Sequence, residues 1–489
     1  MSSGVIAMTA SVPELARAVP PHLLIDVIDA SRAELIDLTH DSRQVRPGWA
    51  FACVPGDQFD GHDFAGEAVG LGAGLLLVER GLPIDVPQIV VSDVRQAIGP
   101  VAAAVHGYPA GRLRMIGITG TNGKTTTTHL LGSILLAAGV EQRQLGTLSG
   151  ARTTPEAPDL QRRLAEFVSC GVEAVVMEVS SHALSLHRVA GTRFDVGVFT
   201  NLGRDHLDLH ESMESYFRAK ASLFSPELTD VGIVNLDDPY GRLVIDVAAV
   251  EMTGFGRDDA LDVVVGVDHH SFTWLGHRVF VPIGGHFNVM NTLAALTVSR
   301  ALGIDIDVAV GGLAECPPVP GRFEVVSDPD LHEFSVVVDY AHTPEGLGEL
   351  LTSARALADR MRVIVVFGCG GGRDVDKRPL MGAVAAEKAD MAVITSDNPR
   401  DEDPAAIVAA AAEGIDARYR ESVLIETDRE AAIALALEAA GPGDVVVIAG
   451  KGHETTQTIG DQVRPFDDRA VARRLLAELT GRAPIEGSK

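Results

Sequence analysis

The runs "RVIVVFG", "MAVITS" and "DVVVIAG" in the last third of the sequence are apolar almost throughout. A strand with one face in water would alternate instead. Each run ends in a polar, Gly- or Pro-bearing loop, and Ala-rich helical stretches such as "PLMGAVAAEKAD" and "DREAAIALALEAA" lie between them. Continuous apolar strands alternating with helices predict a parallel sheet covered on both faces. Ligands of such sheets collect at the carboxyl ends of the strands. The stretch "TSDNPRDEDP", residues 395–404, lies at one of these ends. Asp397, Asn398 and Pro399 are ordinary turn residues. A turn alone has no need of Arg400.

A second strand–loop–helix unit, "RMIGITGTNGKTTTTHLLGSILLAAGV", carries the strongest chemical signal. Gly120 and Gly123 let the backbone come close to phosphates, and the amides at the start of the following helix point at an anion. Leu130, Leu131, Ile134 and Leu135 give that helix its apolar side. Lys124 is placed to contact the terminal phosphates and the Thr125 hydroxyl to ligate magnesium. The segment Gly120, Thr121, Asn122, Gly123, Lys124, Thr125 and Thr126 is the candidate nucleotide cradle. The usual pattern has glycine where this chain has Ile118, so the loop reads G-x-x-G-x-x-G-K-T from Gly117 to Thr125. The loop indicates a nucleotide phosphate without choosing among motor, kinase, transporter and ligase.

A length of 489 residues suits about three domains of roughly 150 residues. The Gly/Pro-bearing "VHGYPAGRLR" and the proline cluster of "CPPVPGRFE" are the candidate linkers. They divide the chain into 1–109, 110–320 and 321–489. The net charge of −26 argues against a sustained nucleic-acid partner, which needs a basic face. Cys53, Cys170, Cys316 and Cys369 form no CxxC pair and suggest neither a disulfide framework nor a zinc site. There is no evident secretory signal, and no apolar run approaches the about 18 residues of a membrane span. A soluble, cytoplasmic protein without membrane insertion is expected.

Polar residues follow two further apolar runs. Glu178 ends the strand of "EAVVMEVSSHAL", and Asn201, Asp205 and His206 follow that of "FDVGVFTNLGRDHLDLH". Magnesium favours oxygen ligands, so a carboxylate beside nucleotide phosphates is the expected partner. His206 is a less usual ligand, and spacing leaves its role open. Lys220 of "YFRAKASLF" reads from periodicity as a lysine whose stem lies along the helix with its amine in water. A lysine held unprotonated by its surroundings is the reactive alternative.

Taken in order, "DSRQVRPG", "GTNGKTTT", "TTPEAPDLQ", "MEVSSHAL", "FTNLGRDHLDLH", "YFRAKASLF", "GHFNVMN", "PGRFE", "VVDYAHTPEGL", "FGCGGGRD", "KRPLMG", "DNPR" and "AGKGHE" closely resemble the Mur ligases over nearly the whole chain. These are the ATP-dependent amide-forming enzymes of peptidoglycan precursor synthesis. Among them the chain resembles the type that adds the third amino acid to UDP-N-acetylmuramoyl-L-alanyl-D-glutamate. The resemblance implies an α/β, three-domain architecture: a UDP-substrate domain, a central P-loop ATPase domain and a mobile C-terminal, Rossmann-like parallel-sheet domain for the amino acid. It also accounts for Ile118, because this family uses the variant loop.

By the same resemblance, Ser42, Asp57, Gln58 and Phe59 hold the uridine nucleotide, and Thr153, Thr154, Ser180 and Arg188 hold the muramoyl-peptide. Glu178 and His206 are implied magnesium ligands beside Thr125. Lys220 matches the lysine that the family carbamylates to hold a second magnesium. Lys124, Glu178, His206 and Lys220 are thus the implied catalytic set. Asn288, Asn291, Arg322 and Asp339 resemble the residues around the nucleotide base and ribose. Two positions depart from the family pattern: Leu186 stands where glutamine is frequent, and Gly372 where aspartate is common. ATP and magnesium are the implied cofactors, with a carbamate on Lys220, and a monomer is expected.

The identity of the amino acid turns on one group. meso-Diaminopimelate differs from L-lysine by a distal carboxylate, which an arginine fork binds bidentately. "DNPR", Asp397 to Arg400, matches the motif of diaminopimelate-adding relatives, and lysine-adding relatives usually lack this arginine. Arg373, Gly450 and Glu454 complete the implied pocket, with Glu454 meeting the distal amine. The near alternative is the same chemistry with lysine or another diamine. Folylpolyglutamate synthase, which shares the loop, is expected to lack "DNPR" and "TTPEAPDLQ". A nucleotide-dependent binding protein without catalysis is opposed by intact Lys124, Glu178, His206 and Lys220.

Overall fold

A computed structural model describes residues 9–30, 33–56, 58–150, 152–205, 207–210 and 212–481. Asp57 and His206 therefore lie outside the described residues. The chain divides into two compact units. One comprises Met1–Gly120, Leu135–Thr200 and Phe217–Gly254; the other comprises Thr121–Ile134, Asn201–Tyr216 and Phe255–Lys489.

In the first unit, strands β1 (Leu24–Ile28), β2 (Asp37–Thr39), β3 (Trp49–Ala52), β4 (Leu75–Val78) and β5 (Gln88–Val91) form a sheet of order β1-β5-β4-β3-β2. Only the β1–β5 pair is antiparallel. Leu75 and Leu77 enter one apolar cluster, and Leu76 and Val78 enter another. Both faces of β4 are therefore buried, and this strand has no polar side to show.

The next sheet is built from β6 (Arg114–Thr119), β7 (Gln142–Leu145), β8 (Ala174–Glu178), β9 (Phe194–Phe199), β10 (Thr229–Asn235) and β11 (Glu251–Phe255). Its order is β11-β10-β9-β6-β8-β7, and the strands from β10 to β7 run parallel. The phosphate-loop strand β6 is thus flanked by the two strands whose ends the sequence singles out. The helix after the loop runs over Lys124–Ala137.

The C-terminal sheet lies within the second unit. Its strands are β12 (Glu324–Val325), β13 (Ser335–Asp339), β14 (Val363–Cys369), β15 (Met391–Ser396), β16 (Val423–Ile425) and β17 (Val445–Ala449), in the order β12-β13-β17-β14-β15-β16. All pairs but β12–β13 are parallel. Val337, Val365 and Val447 pack with helices Pro344–Ala358, Lys377–Lys388 and Pro404–Ala412. Val336, Val338, Val366 and Ile448 pack on the other face with helices Arg429–Ala439 and Asp468–Leu479. The three apolar runs are β14, β15 and β17, each covered on both sides as their lack of alternation requires. Among the described residues no helix is long and apolar enough to cross a membrane.

Candidate active site

In the first unit, neighbouring strand ends collect polar groups. The Val179 N–H donates to the Ile118 carbonyl at 2.8 Å and the Thr200 N–H to the Thr119 carbonyl at 3.0 Å. These bonds fix the chain leaving β8 and β9 beside the end of β6. Glu178 closes β8 and is 1% exposed. Its carboxylate accepts from the Thr147 N–H at 2.8 Å and from the Thr147 hydroxyl at 3.2 Å. The Thr147 hydroxyl also lies 3.1 Å from that of Thr153. Thr154 donates to the Glu178 carbonyl at 2.8 Å and accepts from the Ser180 N–H at 3.0 Å. The structure therefore brings Thr153, Thr154 and Ser180 together around Glu178, although the two motifs are separated in sequence.

Arg188 pairs with Glu156, the glutamate of "TTPE", at 2.8 Å. Its Nε is buried with no partner among the described residues, a donor still to be satisfied. Leu186 caps the short helix Ser181–Ser185. Lys220 is 1% exposed, and its Nζ donates to the Gly120 carbonyl at 2.7 Å. It does not reach for water as helix periodicity suggests; its amine is spent on the phosphate loop's first carbonyl. Farther toward the N-terminus, the Ser42 hydroxyl donates to Glu67 at 3.3 Å. Gln58 and Phe59 sit in an exposed turn closed by the Gly56 N–H on the Phe59 carbonyl at 2.9 Å.

The second unit holds the rest of the loop. Asn201 latches it with three bonds: its carbonyl accepts from Thr121 N–H at 2.9 Å, its side-chain oxygen from Asn122 N–H at 2.9 Å, and its amide donates to the Asn122 carbonyl at 3.2 Å. The Thr121 hydroxyl lies 3.0 Å from that of the buried Tyr216. Lys124 folds back to donate to the Thr121 carbonyl at 2.8 Å. Gly123 has φ 87°, and a Cβ there would fall 2.3 Å from the Asn291 side-chain oxygen. No other residue fits without displacing Asn291, whose amide donates to Asn288 at 2.9 Å.

Arg322 donates to the Thr125 hydroxyl at 3.2 Å and lies 4.4 Å over the Tyr340 ring. Asp339, at the end of β13, accepts from the N–H groups of Phe323 and Ala341, both at 2.7 Å. Burial raises its carboxyl pKa against the opposing pull of Arg322 and these two amides. Asp205 lies 3.9 Å from His342, whose pKa is lowered chiefly by burial.

A third cluster forms at the ends of β15 and β17. Asp397 and Asn398 are buried, and Asn398 donates to Glu454 at 2.7 Å. Lys451, fully buried, donates to Glu454 at 3.1 Å, to Asn398 at 3.3 Å and to the Thr456 carbonyl at 2.7 Å. Arg400 has φ 53°, and its N–H donates to the Thr458 carbonyl at 3.0 Å. Its guanidinium donates to the Gly371 carbonyl, in the same loop as the exposed Gly372 and Arg373. The Gly372 N–H donates to Glu402 at 2.6 Å, so the position where aspartate is common is tied down by its backbone. Gly450, with φ 114°, packs so closely that a Cβ would lie 2.7 Å from an Asp397 carboxylate oxygen.

Lys451 has no assigned role within "AGKGHE", though a charge immediately after a buried strand and one glycine is itself a signal. Tyr216, the first residue of "YFRAKASLF", has no role that can be read from sequence, because its partner Thr121 lies far from it in the chain. The carboxylate of Glu178 and the threonine hydroxyls around it form an oxygen-only donor set that suits magnesium. Among the described residues no group of three or more His, Cys, Asp or Glu side chains is placed to hold a metal.

Comparison with known proteins supplies the family. Residues 37–108 match the Mur ligase family catalytic domain, 118–299 the Mur ligase middle domain, and 321–452 the Mur ligase glutamate ligase domain. A relative from Streptomyces coelicolor, named UDP-N-acetylmuramoyl-L-alanyl-D-glutamate–2,6-diaminopimelate ligase, is 44% identical over 477 residues, covering 92% of this chain and 94% of the relative. The chain belongs to the Mur ligase family. A Gloeobacter violaceus relative of the same name is 45% identical over 478 residues, 94% of this chain and 97% of its own. A solved structure of a ligase with that name matches this Mur ligase with a TM-score of 0.67 at 33% identity, covering 96% of this chain and 99% of its own. The architecture is the three-domain α/β one of the family.

Proposed function

We propose that this Mur ligase joins meso-diaminopimelate to UDP-N-acetylmuramoyl-L-alanyl-D-glutamate, converting ATP to ADP and phosphate. The names of its relatives support the reaction. The observation that carries the choice of amino acid is the chain of bonds from Arg400 to Glu454: the Arg400 guanidinium donates to the Gly371 carbonyl, the Gly371 N–H donates to the Asn398 carbonyl at 2.9 Å, and the Asn398 amide donates to the Glu454 carboxylate. The proposed division is 1–109 for the UDP-substrate, 110–320 for ATP and 321–489 for the amino acid, in a cytoplasmic monomer.

A carboxylate is a poor electrophile toward an amine. In the proposed sequence an oxygen of the D-glutamate side-chain carboxylate attacks the γ-phosphorus of ATP, and ADP leaves. The amine of diaminopimelate then attacks the acyl-phosphate carbonyl, loses a proton, and phosphate departs. Gly120 to Thr126 and Lys124 cradle the phosphates, and Asn201 keeps that loop in shape before any ligand arrives. Thr153, Thr154, Ser180 and Arg188 orient the muramoyl-peptide, while Ser42, Asp57, Gln58 and Phe59 take its uridine end. Asn288, Asn291, Arg322 and Asp339 take the adenosine. Glu178, His206 and Thr125 would hold magnesium, which neutralises the repulsion between the reacting anions. Lys220 would act as its carbamate. After carbamylation the nitrogen keeps one N–H, so the bond to the Gly120 carbonyl can survive.

A purified-enzyme assay with meso-diaminopimelate and L-lysine in competition tests this reading. Strong preference for meso-diaminopimelate is the expected result, and equal use of both would sink it. Gly450→Ala is a second test. The new methyl group meets the Asp397 carboxylate, and φ 114° disfavours any side chain. We expect KM for the amino acid to rise about tenfold, consistent with strain of about 1–3 kcal/mol, with KM for ATP unchanged.

A further inference from the structure

Arg429 and Asp468 form an ion pair in which both side chains are 0% exposed. Neither belongs to a motif with a role in the reaction above. Arg429 Nε and Nη2 donate to the two Asp468 carboxylate oxygens, each at 2.7 Å. Nη1 donates to the Ser396 carbonyl at 3.1 Å, and Nη2 also donates to the Ala449 carbonyl at 2.9 Å. A pair this deep is often matched or bettered for stability by apolar residues of similar volume, so its presence calls for another reason.

The two carbonyls supply that reason. Ser396 is the last residue of β15 and Ala449 the last of β17. These strands are not neighbours, since β14 lies between them. Beyond Ser396 the chain continues into Asp397, Asn398 and Arg400; beyond Ala449 it continues into Gly450, Lys451 and Glu454. Arg429 therefore spans an intervening strand and ties together the two roots of the cluster assigned to the amino acid. Gly450 is the roof of this tie: a Cβ on it would lie 3.9 Å from Arg429 Nη2 and 2.7 Å from the Asp397 carboxylate. A planar fork can satisfy two carbonyls and a bidentate carboxylate at once; an ammonium cannot reproduce that geometry.

We infer that Arg429, oriented by Asp468, is a positioning residue that sets the spacing between the 397–400 and 450–454 loops and thereby the affinity and selectivity for the amino-acid substrate. The inference rests on the function proposed above. Burial opposes the charge on Arg429, yet the carboxylates of Asp468, Asp397 and Glu454 outweigh it and raise its pKa. The guanidinium thus stays charged under the pocket, while the buried Lys451 amine bonds two side chains of the cluster itself, Asn398 and Glu454.

The test compares wild type, Arg429→Lys and the apolar double variant Arg429→Met/Asp468→Leu, with KM measured for each of the three substrates and unfolding followed by heat. The expected result is that both variants raise KM for the amino acid tenfold or more and lower the preference for meso-diaminopimelate over lysine. KM for ATP and for the UDP-precursor should stay within about twofold, and the double variant should keep near-wild-type unfolding. A folded variant with wild-type amino-acid KM and preference overturns the inference, as does an equal rise in all three KM values. Should the double variant not fold, Arg429→Lys decides on the same criteria. KM is read with whichever amino acid the wild type accepts. Refusal of meso-diaminopimelate by the wild type therefore overturns the proposed function, whereas unchanged variants overturn the role of Arg429.

Discussion

Arg400→Ala is expected to cut kcat/KM for meso-diaminopimelate about a hundredfold while ATP and the UDP-precursor bind as before. Removing one partner of a buried, hydrogen-bonded charge pair costs about 2–5 kcal/mol. Arg400 is half-buried, so solvent screening places the effect toward the lower end, and each 1.4 kcal/mol is about tenfold. The arginine already donates to the Gly371 carbonyl and its backbone is pinned to Thr458. Its charge is therefore held in place before the substrate's distal carboxylate arrives. Steady-state kinetics with each substrate varied in turn gives the answer. A uniform loss across all three substrates would mean that the loop, and not the fork, had failed.

Lys220→Ala is expected to lower kcat by about 10²–10³, the size of effect seen when one preorganised electrostatic group is removed. Two interactions disappear together: the bond to the Gly120 carbonyl and the proposed carbamate. They can be separated. A small free carboxylate added to Lys220→Ala should restore part of the activity if a carboxylate-like group is what the site lacks. Lys220→Gln would keep a donor for Gly120 without the anion and should respond less. Intact mass of the wild type in bicarbonate should show the mass of one carbon dioxide added. An active, substrate-bound enzyme with unmodified Lys220 would overturn the carbamate.

Much of this could be read from sequence because the C-terminal strands are buried on both faces. Continuous apolar runs have no other comfortable place in a folded chain, so β14, β15 and β17 announce themselves. Gly123 and Lys124 are also legible, since a phosphate loop needs them at that spacing. What the sequence hides is what depends on partners far away along the chain. Lys220 looks like a surface lysine until Gly120, a hundred residues earlier, is seen to receive its amine. Arg429 lies at the start of an alanine-rich helix, where nothing betrays that it is fully buried. Arg400 was legible as a charge at a strand end. Its left-handed backbone and its pairing with residues 458–460 were not, because they come from a hairpin met only after two further helices.

The position of β17 also has a bearing on how the protein is made. This strand, Val445–Ala449, comes last among the strands of its sheet in sequence, yet it sits in the middle, between β13 and β14. A chain emerging from the ribosome can pair β14, β15 and β16, but β13 has no place beside them until the final strand appears. Chains stalled before residue 445 would carry two open sheet edges and half of the amino-acid cluster. Such edges invite pairing with other chains, and long-range parallel pairing is slow to form. Emergence of β17 is thus the step that first allows both halves of the cluster proposed for the amino acid to come together.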